Sequence, residues 1–150
     1  MKEVNIYTDG AAKGNPGRGG YGTILISGSK IKEISQGFLL TTNNRMELLA
    51  VIIGLEALNQ KCKVTIYSDS KYVVDSVEKG WVFSWHKKGF TNRRNADLWK
   101  RFLQVYQNHQ VKFHWLKGHS GNKYNEICDQ LAVEAAEGRN LKEDLGYEPI

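Results

Sequence analysis

The chain has 150 residues, 41% hydrophobic and 25% charged, which fits one compact domain over residues 1–150 and argues against a disordered or membrane-spanning chain. Lys and Arg number 21 against 16 Asp and Glu, a formal net charge of +5 that mildly favours a polyanionic partner without identifying one. Met1-Lys2-Glu3-Val4-Asn5 opens without an apolar run of signal-peptide length, and no later stretch is long enough to cross a bilayer, so the expectation is a cytoplasmic monomer with no membrane partner. Cys62 and Cys128 lie far apart without metal-ligand spacing and read as structural thiols.

Val4 to Thr8 alternates as a half-buried strand should and meets Asp9-Gly10, then the glycine-rich stretch Gly14-Asn15-Pro16-Gly17-Arg18-Gly19-Gly20, which reads as a loop. Tyr21 to Ser27 and Ile31 to Leu40 are predicted strands, and the short Gly28-Ser29 connection predicts an antiparallel hairpin. After Thr41-Thr42-Asn43 the period becomes helical, with Met46, Leu49, Ala50, Ile53 and Ala57 on one face. Gly54 inside that helix implies close approach of a neighbouring element. Lys63 to Tyr67 is a short strand ending in Ser68-Asp69-Ser70, where a serine or the aspartate could cap a helix through Tyr72, Val73 and Val77.

Trp81 to Asn95 mixes aromatic and basic residues without clean periodicity, and Ala96 to Asn108 resumes a helical pattern. Val111 to Leu116 is the last predicted strand, Lys117 to Asn122 a loop, and Ile127 to Ala136 a final helix with Cys128, Leu131, Ala132 and Ala135 inward. From Gly138 the tail is polar and is expected to be weakly held. A three-strand meander followed by helix, strand, helices, strand and helix predicts an α/β fold with a mixed sheet covered by helices. Asp9 and Asp69 then end two strands, and their carboxylates converge if those strands are parallel neighbours.

Each acid also has a plain structural explanation. Asp9-Gly10 reads equally as a turn, Asp69 as a cap, Glu47 as the capping-box partner of Asn44 three residues earlier, and Asp129 as the edge of an amphipathic helix. What distinguishes them is their setting. Tyr7-Thr8-Asp9-Gly10 with its Gly-Asn-Pro-Gly loop, Thr42-Asn43-Asn44-Arg45-Met46-Glu47, Tyr67-Ser68-Asp69-Ser70, Gly118-His119-Ser120-Gly121 and Asn125-Glu126-Ile127-Cys128-Asp129 follow in one order. Together, over almost the whole chain, they resemble type 1 ribonuclease H.

The resemblance implies a ribonuclease H-like fold with a five-stranded mixed sheet, three antiparallel strands then two parallel. It also implies hydrolysis of the RNA strand of RNA/DNA hybrids, leaving 5'-phosphate and 3'-hydroxyl ends. Asp9, Glu47, Asp69 and Asp129 are then the catalytic acids and hold divalent metal. Mg2+, a hard ion that prefers carboxylate and phosphate oxygens, is the natural cofactor, with two ions in the substrate complex and Mn2+ as a substitute. His119 would serve in proton transfer or product release, for which an ordinary imidazole pKa of about 6.5 is suited.

The hybrid is held, on this resemblance, by Asn15, Thr42, Asn43 and Asn44, with Asn15 and Thr42 near a phosphate of the DNA strand. Amides can both donate to and accept from the 2'-hydroxyl that distinguishes RNA. Trp81, Trp85, Lys87, Lys88, Arg93 and Arg94 look like the family's basic protrusion, although the segment is shorter and has fewer lysines than in well-known bacterial members. Its plain alternative is a solvated basic face with aromatics packed beneath. Ala12 and Lys71 replace polar residues that some relatives use near the hybrid. A DNA-acting nuclease of the same fold and a catalytically silent hybrid-binding module are the competing functions; the Asn43-Asn44 pair disfavours the first and the presence of all four acids the second.

Overall fold

The computed structural model describes residues 1–118 and 121–149. Three antiparallel strands open the chain: β1 (Lys2–Lys13), β2 (Gly17–Ser27) and β3 (Lys30–Thr41). There follow α1 (Asn43–Glu56), β4 (Cys62–Ser68), α2 (Lys71–Glu78), α3 (Trp81–Lys87), α4 (Ala96–Tyr106), β5 (Gln110–Trp115), α5 (Lys123–Glu137) and a two-residue β6 (Leu141–Lys142). The strands form one sheet in the order β5-β4-β1-β2-β3-β6. β4 runs parallel to both β1 and β5, and β6 runs parallel to β3. The mixed sheet is thus as expected with one strand more, added by the tail.

Strand alternation sorts the two faces. Val4 and Ile6 of β1 and Val64 and Ile66 of β4 are buried in the main core with α1, α2 and α4. α1 is buried almost all round, from Arg45 to Leu55, because it lies between the sheet and α4 rather than on the surface. Gly54 lets it approach: a Cβ there would stand 2.9 Å from Ile6 Cγ2 and 3.0 Å from Thr23 Cγ2. The Thr23 hydroxyl also donates to the Ala50 carbonyl at 2.7 Å. α5 covers the opposite face, where Tyr7 and Tyr67 stack at 4.4 Å and Tyr124 of α5 packs on Tyr7 at 5.1 Å. Both cysteines are free and buried, and the Cys128 thiol donates to the Tyr7 carbonyl at 3.2 Å.

Two sequence expectations are corrected. The glycine-rich stretch is a loop only at residues 14–16; Gly17 to Gly20 belong to β2 and pair with β1 or β3. Glycine serves there for clearance, since a Cβ on Gly20 would lie 2.5 Å from the Ala132 carbonyl oxygen of α5. Nor is the tail after Gly138 loose. Gln36 Nε2 donates to the Asn140 carbonyl at 2.9 Å, and Asp144, 9% exposed at its side chain, accepts from Arg45 Nε at 2.7 Å and from the Thr41 hydroxyl at 2.7 Å. Among the described residues no helix is long and apolar enough to cross a membrane.

Candidate active site

The parallel register of β1 and β4 pairs Tyr7 with Tyr67, so Asp9 and Asp69 each stand two residues beyond the last pair and face the same side. Asp69 follows the end of β4. Asp9 does not end its strand as expected, because β1 continues on its other edge, with Asp9 opposite Gly22 of β2. The turn reading of Asp9 is thereby excluded. Its Oδ1 accepts from the Gly10 amide at 2.9 Å, which holds the carboxylate at the sheet surface.

Glu47 reaches this point because α1 presses directly on β1. A Cβ on Gly10 would lie 2.4 Å from the Glu47 amide nitrogen and 2.5 Å from the Met46 carbonyl carbon, so only glycine admits the helix backbone this closely. Glu47 is not a capping residue: the N-cap is Thr42, whose hydroxyl accepts from the Arg45 amide at 3.3 Å. Asp69 is no cap either, since Ser70 caps α2 by accepting from the Val73 amide at 3.2 Å.

One carboxylate oxygen each from Asp9, Glu47 and Asp69 lies within 4.8 Å of the others. Asp9 and Glu47 are both buried, at 6% exposure. Glu47 Oε1 and Asp69 Oδ1 are buried with no hydrogen-bond partner, an arrangement whose desolvation cost calls for a compensating cation. Burial first, then the charge of Asp69, raises the Asp9 carboxyl to about 7. Burial, followed by the charges of Asp9 and Asp69, raises Glu47 well above the ordinary carboxyl range. These hard oxygen donors fit a divalent cation.

Asp129 stands on α5, half-buried and outside this tight group, yet near enough that its charge adds to the upward push on Asp9. α5 is brought to the site by Gly22, where a Cβ would lie 2.4 Å from the Cys128 carbonyl oxygen. His119 and Ser120 fall outside the described residues. The neighbouring Gly118 has its Cβ position 3.8 Å from Asp69 Oδ2.

Asn15 Oδ1 accepts from the Asn43 amide at 3.0 Å, tying the β1–β2 turn to the start of α1. Asn15, Thr42 and Asn44 line a cleft of about 980 Å³ together with Arg93 and Arg94. The basic segment is part helix: Trp81, Lys87 and the intervening residues form α3, and the chain then turns with positive φ at Gly89, Phe90, Asn92 and Asn95. Aromatics pack beneath an exposed basic face in that segment. Phe90 is buried and Trp85 packs on Trp99 at 6.0 Å, while Trp81, Lys87, Lys88, Arg93 and Arg94 are exposed. The Arg93 guanidinium lies 4.9 Å from the Trp85 ring.

Sequence reasoning missed Trp115, Asn125 and Arg45, which bear on the site. The Trp115 indole N–H donates to the Asp69 carbonyl at 3.3 Å, and the Lys71 ammonium lies 4.1 Å from the same ring. Asn125, one turn before Asp129, is buried with Nδ2 unpartnered. Arg45, 2% exposed, also chelates Asp97 through Nη1 and Nη2 at 2.9 and 2.8 Å. Arg45 and Asn125 lay inside the quoted motifs, but a motif does not distinguish a buried polar residue from an exposed one.

A family profile described as RNase H matches residues 1–137. A ribonuclease H of Rippkaea orientalis is 53% identical over 152 residues, covering 98% of this chain and 93% of that protein. Another, from Aeromonas salmonicida, is 50% identical over 154 residues and covers 99% of each. Among solved structures, LC9-RNase H1, described as a type 1 RNase H with the type 2 active-site motif, superposes with a TM-score of 0.83 at 30% identity, over 92% of this chain and 74% of its own. With Asp9 of β1, Glu47 of α1 and Asp69 at the end of β4 gathered into one cluster, the chain belongs to the ribonuclease H family.

Proposed function

We propose that this chain is an endonuclease that hydrolyses the RNA strand of RNA/DNA hybrids with divalent-metal assistance. The observation that carries the proposal is the buried cluster of Asp9, Glu47 and Asp69, with two carboxylate oxygens left unpartnered in a ribonuclease H chain. These three, with Asp129 approaching from α5, would hold Mg2+ or its substitute Mn2+. When bound, two such ions would supply the charge that draws a water to the phosphorus and stabilises the departing oxygen. Water forms the new O–P bond, the bond from phosphorus to the 3'-oxygen breaks, and that oxygen takes a proton. The products are a 5'-phosphate and a 3'-hydroxyl.

The chain's own residues do the rest. The Gly10 amide fixes one Asp9 oxygen and the Trp115 indole fixes the backbone of Asp69, so the acids need little reorganisation. His119 is assigned proton transfer or product release by its sequence position. Asn15, Thr42, Asn43 and Asn44 are assigned to the two strands of the hybrid, the amides reading the 2'-hydroxyl. Lys87, Lys88, Arg93 and Arg94, with Trp81 and Trp85 beside them, are assigned the sequence-independent phosphate contacts that position a duplex.

The test is incubation with end-labelled RNA/DNA, RNA/RNA and DNA/DNA duplexes, each with Mg2+ and with chelator. Mg2+-dependent shortening of RNA in the hybrid alone is expected. Cleavage of DNA/DNA at a comparable rate, or unchanged hybrid cleavage in chelator, would overturn the proposal.

A further inference from the structure

The tail beyond residue 137 lies outside the part of the chain that the family profile matches, and it is seated firmly. Asp144 Oδ1 and Oδ2 accept from Arg45 Nη2 at 3.0 Å and Nε at 2.7 Å. Two residues on, a Cβ at Gly146 would overlap Asp97 Oδ2, at 1.8 Å, and stand 3.0 Å from Arg45 Nη2. The backbone therefore passes directly over the Arg45–Asp97 pair, and a larger residue here would have to displace the Asp97 carboxylate. The Tyr147 amide then donates to the Asp144 carbonyl at 3.1 Å, turning the chain into the cleft that Asn15, Thr42, Asn44, Arg93 and Arg94 line. Gly146, Tyr147, Glu148 and Pro149 form part of that cleft's lining.

Cations dominate the cleft's free charge. Arg93, Arg94 and Lys100 line it, and none of them is in an ion pair among the described residues. Of the two acids in the lining, Asp97 is committed to Arg45, whereas Glu148 is exposed and makes no ion pair among the described residues. Among the described residues, a phosphate backbone entering the cleft thus meets three cations and one uncommitted carboxylate.

Resting on the assignment of this cleft to the hybrid, we infer that the C-terminal strap from Asp144 to Pro149 is a wall of the hybrid-binding cleft, and that Glu148 in it weakens the hold on phosphate. The wall limits where the duplex backbone can lie. The carboxylate opposes the same polyanion that the arginines attract, so bound hybrid is released more readily after cleavage. Both effects act on binding and leave the acid cluster untouched.

Two variants separate these roles: Glu148→Gln, and a chain ending at Leu145, which keeps Asp144 on Arg45. Hybrid affinity is measured by fluorescence anisotropy in chelator over a range of salt, and kcat and KM with Mg2+; thermal unfolding confirms that both variants fold. Glu148→Gln is expected to bind hybrid about two- to threefold more tightly at low salt, with the gain fading as salt screens it. The shortened chain is expected to bind more weakly than wild type despite losing that carboxylate. Unchanged affinity in Glu148→Gln would overturn the electrostatic role, and wild-type affinity in the shortened chain would overturn the wall. Wild type that binds hybrid in chelator but never cleaves it would instead count against the proposed function alone.

Discussion

Replacing Asp9 by Asn should stabilise the metal-free protein at neutral and alkaline pH. The folded state raises the Asp9 carboxyl from 3.8 to about 7, through burial and the Asp69 charge. A group whose folded pKa is raised favours the folded state most below its unfolded pKa, and that contribution falls away as pH climbs through the folded pKa. Wild type without metal should therefore lose stability between about pH 4 and pH 7 on this account and level off above. At roughly 1.4 kcal/mol per pH unit the ceiling is about 4 kcal/mol. Part of that burden is shared with Glu47 and Asp69, so a gain of about 1–3 kcal/mol is expected for Asp9→Asn above pH 7. The amide retains the shape and an oxygen for the Gly10 amide.

The assay is urea unfolding of both proteins in chelator at pH 5 and pH 8, repeated with Mg2+. The variant's advantage should be larger at pH 8, and Mg2+ should stabilise wild type much more than the variant, because a ligand stabilises only the state that binds it. An Asp9→Asn protein no more stable than wild type at pH 8 would refute the idea that the carboxylates are in electrostatic conflict until a cation joins them.

Asp144→Ala removes one acid from buried Arg45 and should cost about 2–4 kcal/mol, Asp97 offsetting part of the loss; urea unfolding with an unchanged midpoint would contradict the buried clamp. Gly10→Ala sets a methyl group against the α1 backbone at Glu47 and should weaken Mg2+ binding and lower stability by about 2 kcal/mol, as titration calorimetry and unfolding would show. Neutralising Lys87, Lys88, Arg93 and Arg94 together should raise KM and flatten its salt dependence while changing kcat less, which steady-state kinetics over a salt series would detect. His119→Ala should slow Mg2+-dependent turnover by about a hundredfold or more without abolishing it, and an unchanged kcat across pH would remove it from catalysis.

The element order and the parallel approach of Asp9 to Asp69 were legible in the sequence, because hydrophobic periodicity marks strands and helices and parallel pairing follows from an intervening helix. Thr42 and Ser70 show where that reading stops. Capping spacings within a few residues of Glu47 and Asp69 offered several local partners, and only the structure shows that neighbouring hydroxyls take the caps and leave both acids to the site. Gly17 to Gly20 were misread because glycine marks turns and close packing alike, and at Gly20 the choice depends on α5, more than 100 residues away in sequence. The attachment of Asp144 to Arg45, 99 positions apart, leaves no local pattern at all in a polar tail.

These failures share one cause, and it bears on how the site is built. The acids come from β1, α1 and the end of β4, with α5 bringing Asp129 close, so no segment contains the site and its geometry depends on how nearly the backbones approach one another. Gly10 sets the distance from β1 to α1 and Gly22 the distance from β2 to α5, while Arg45, two residues before Glu47, fixes α1 to α4 and to the strap through Asp97 and Asp144. Glu47 is thus held from two sides, by a close contact with the sheet and by a buried guanidinium. Clustered carboxylates repel one another, and a scaffold left free to relax would separate them. The clamp and the two glycines hold them together instead, so that the cost of gathering like charges is met in folding and a cation need only occupy a site already shaped for it.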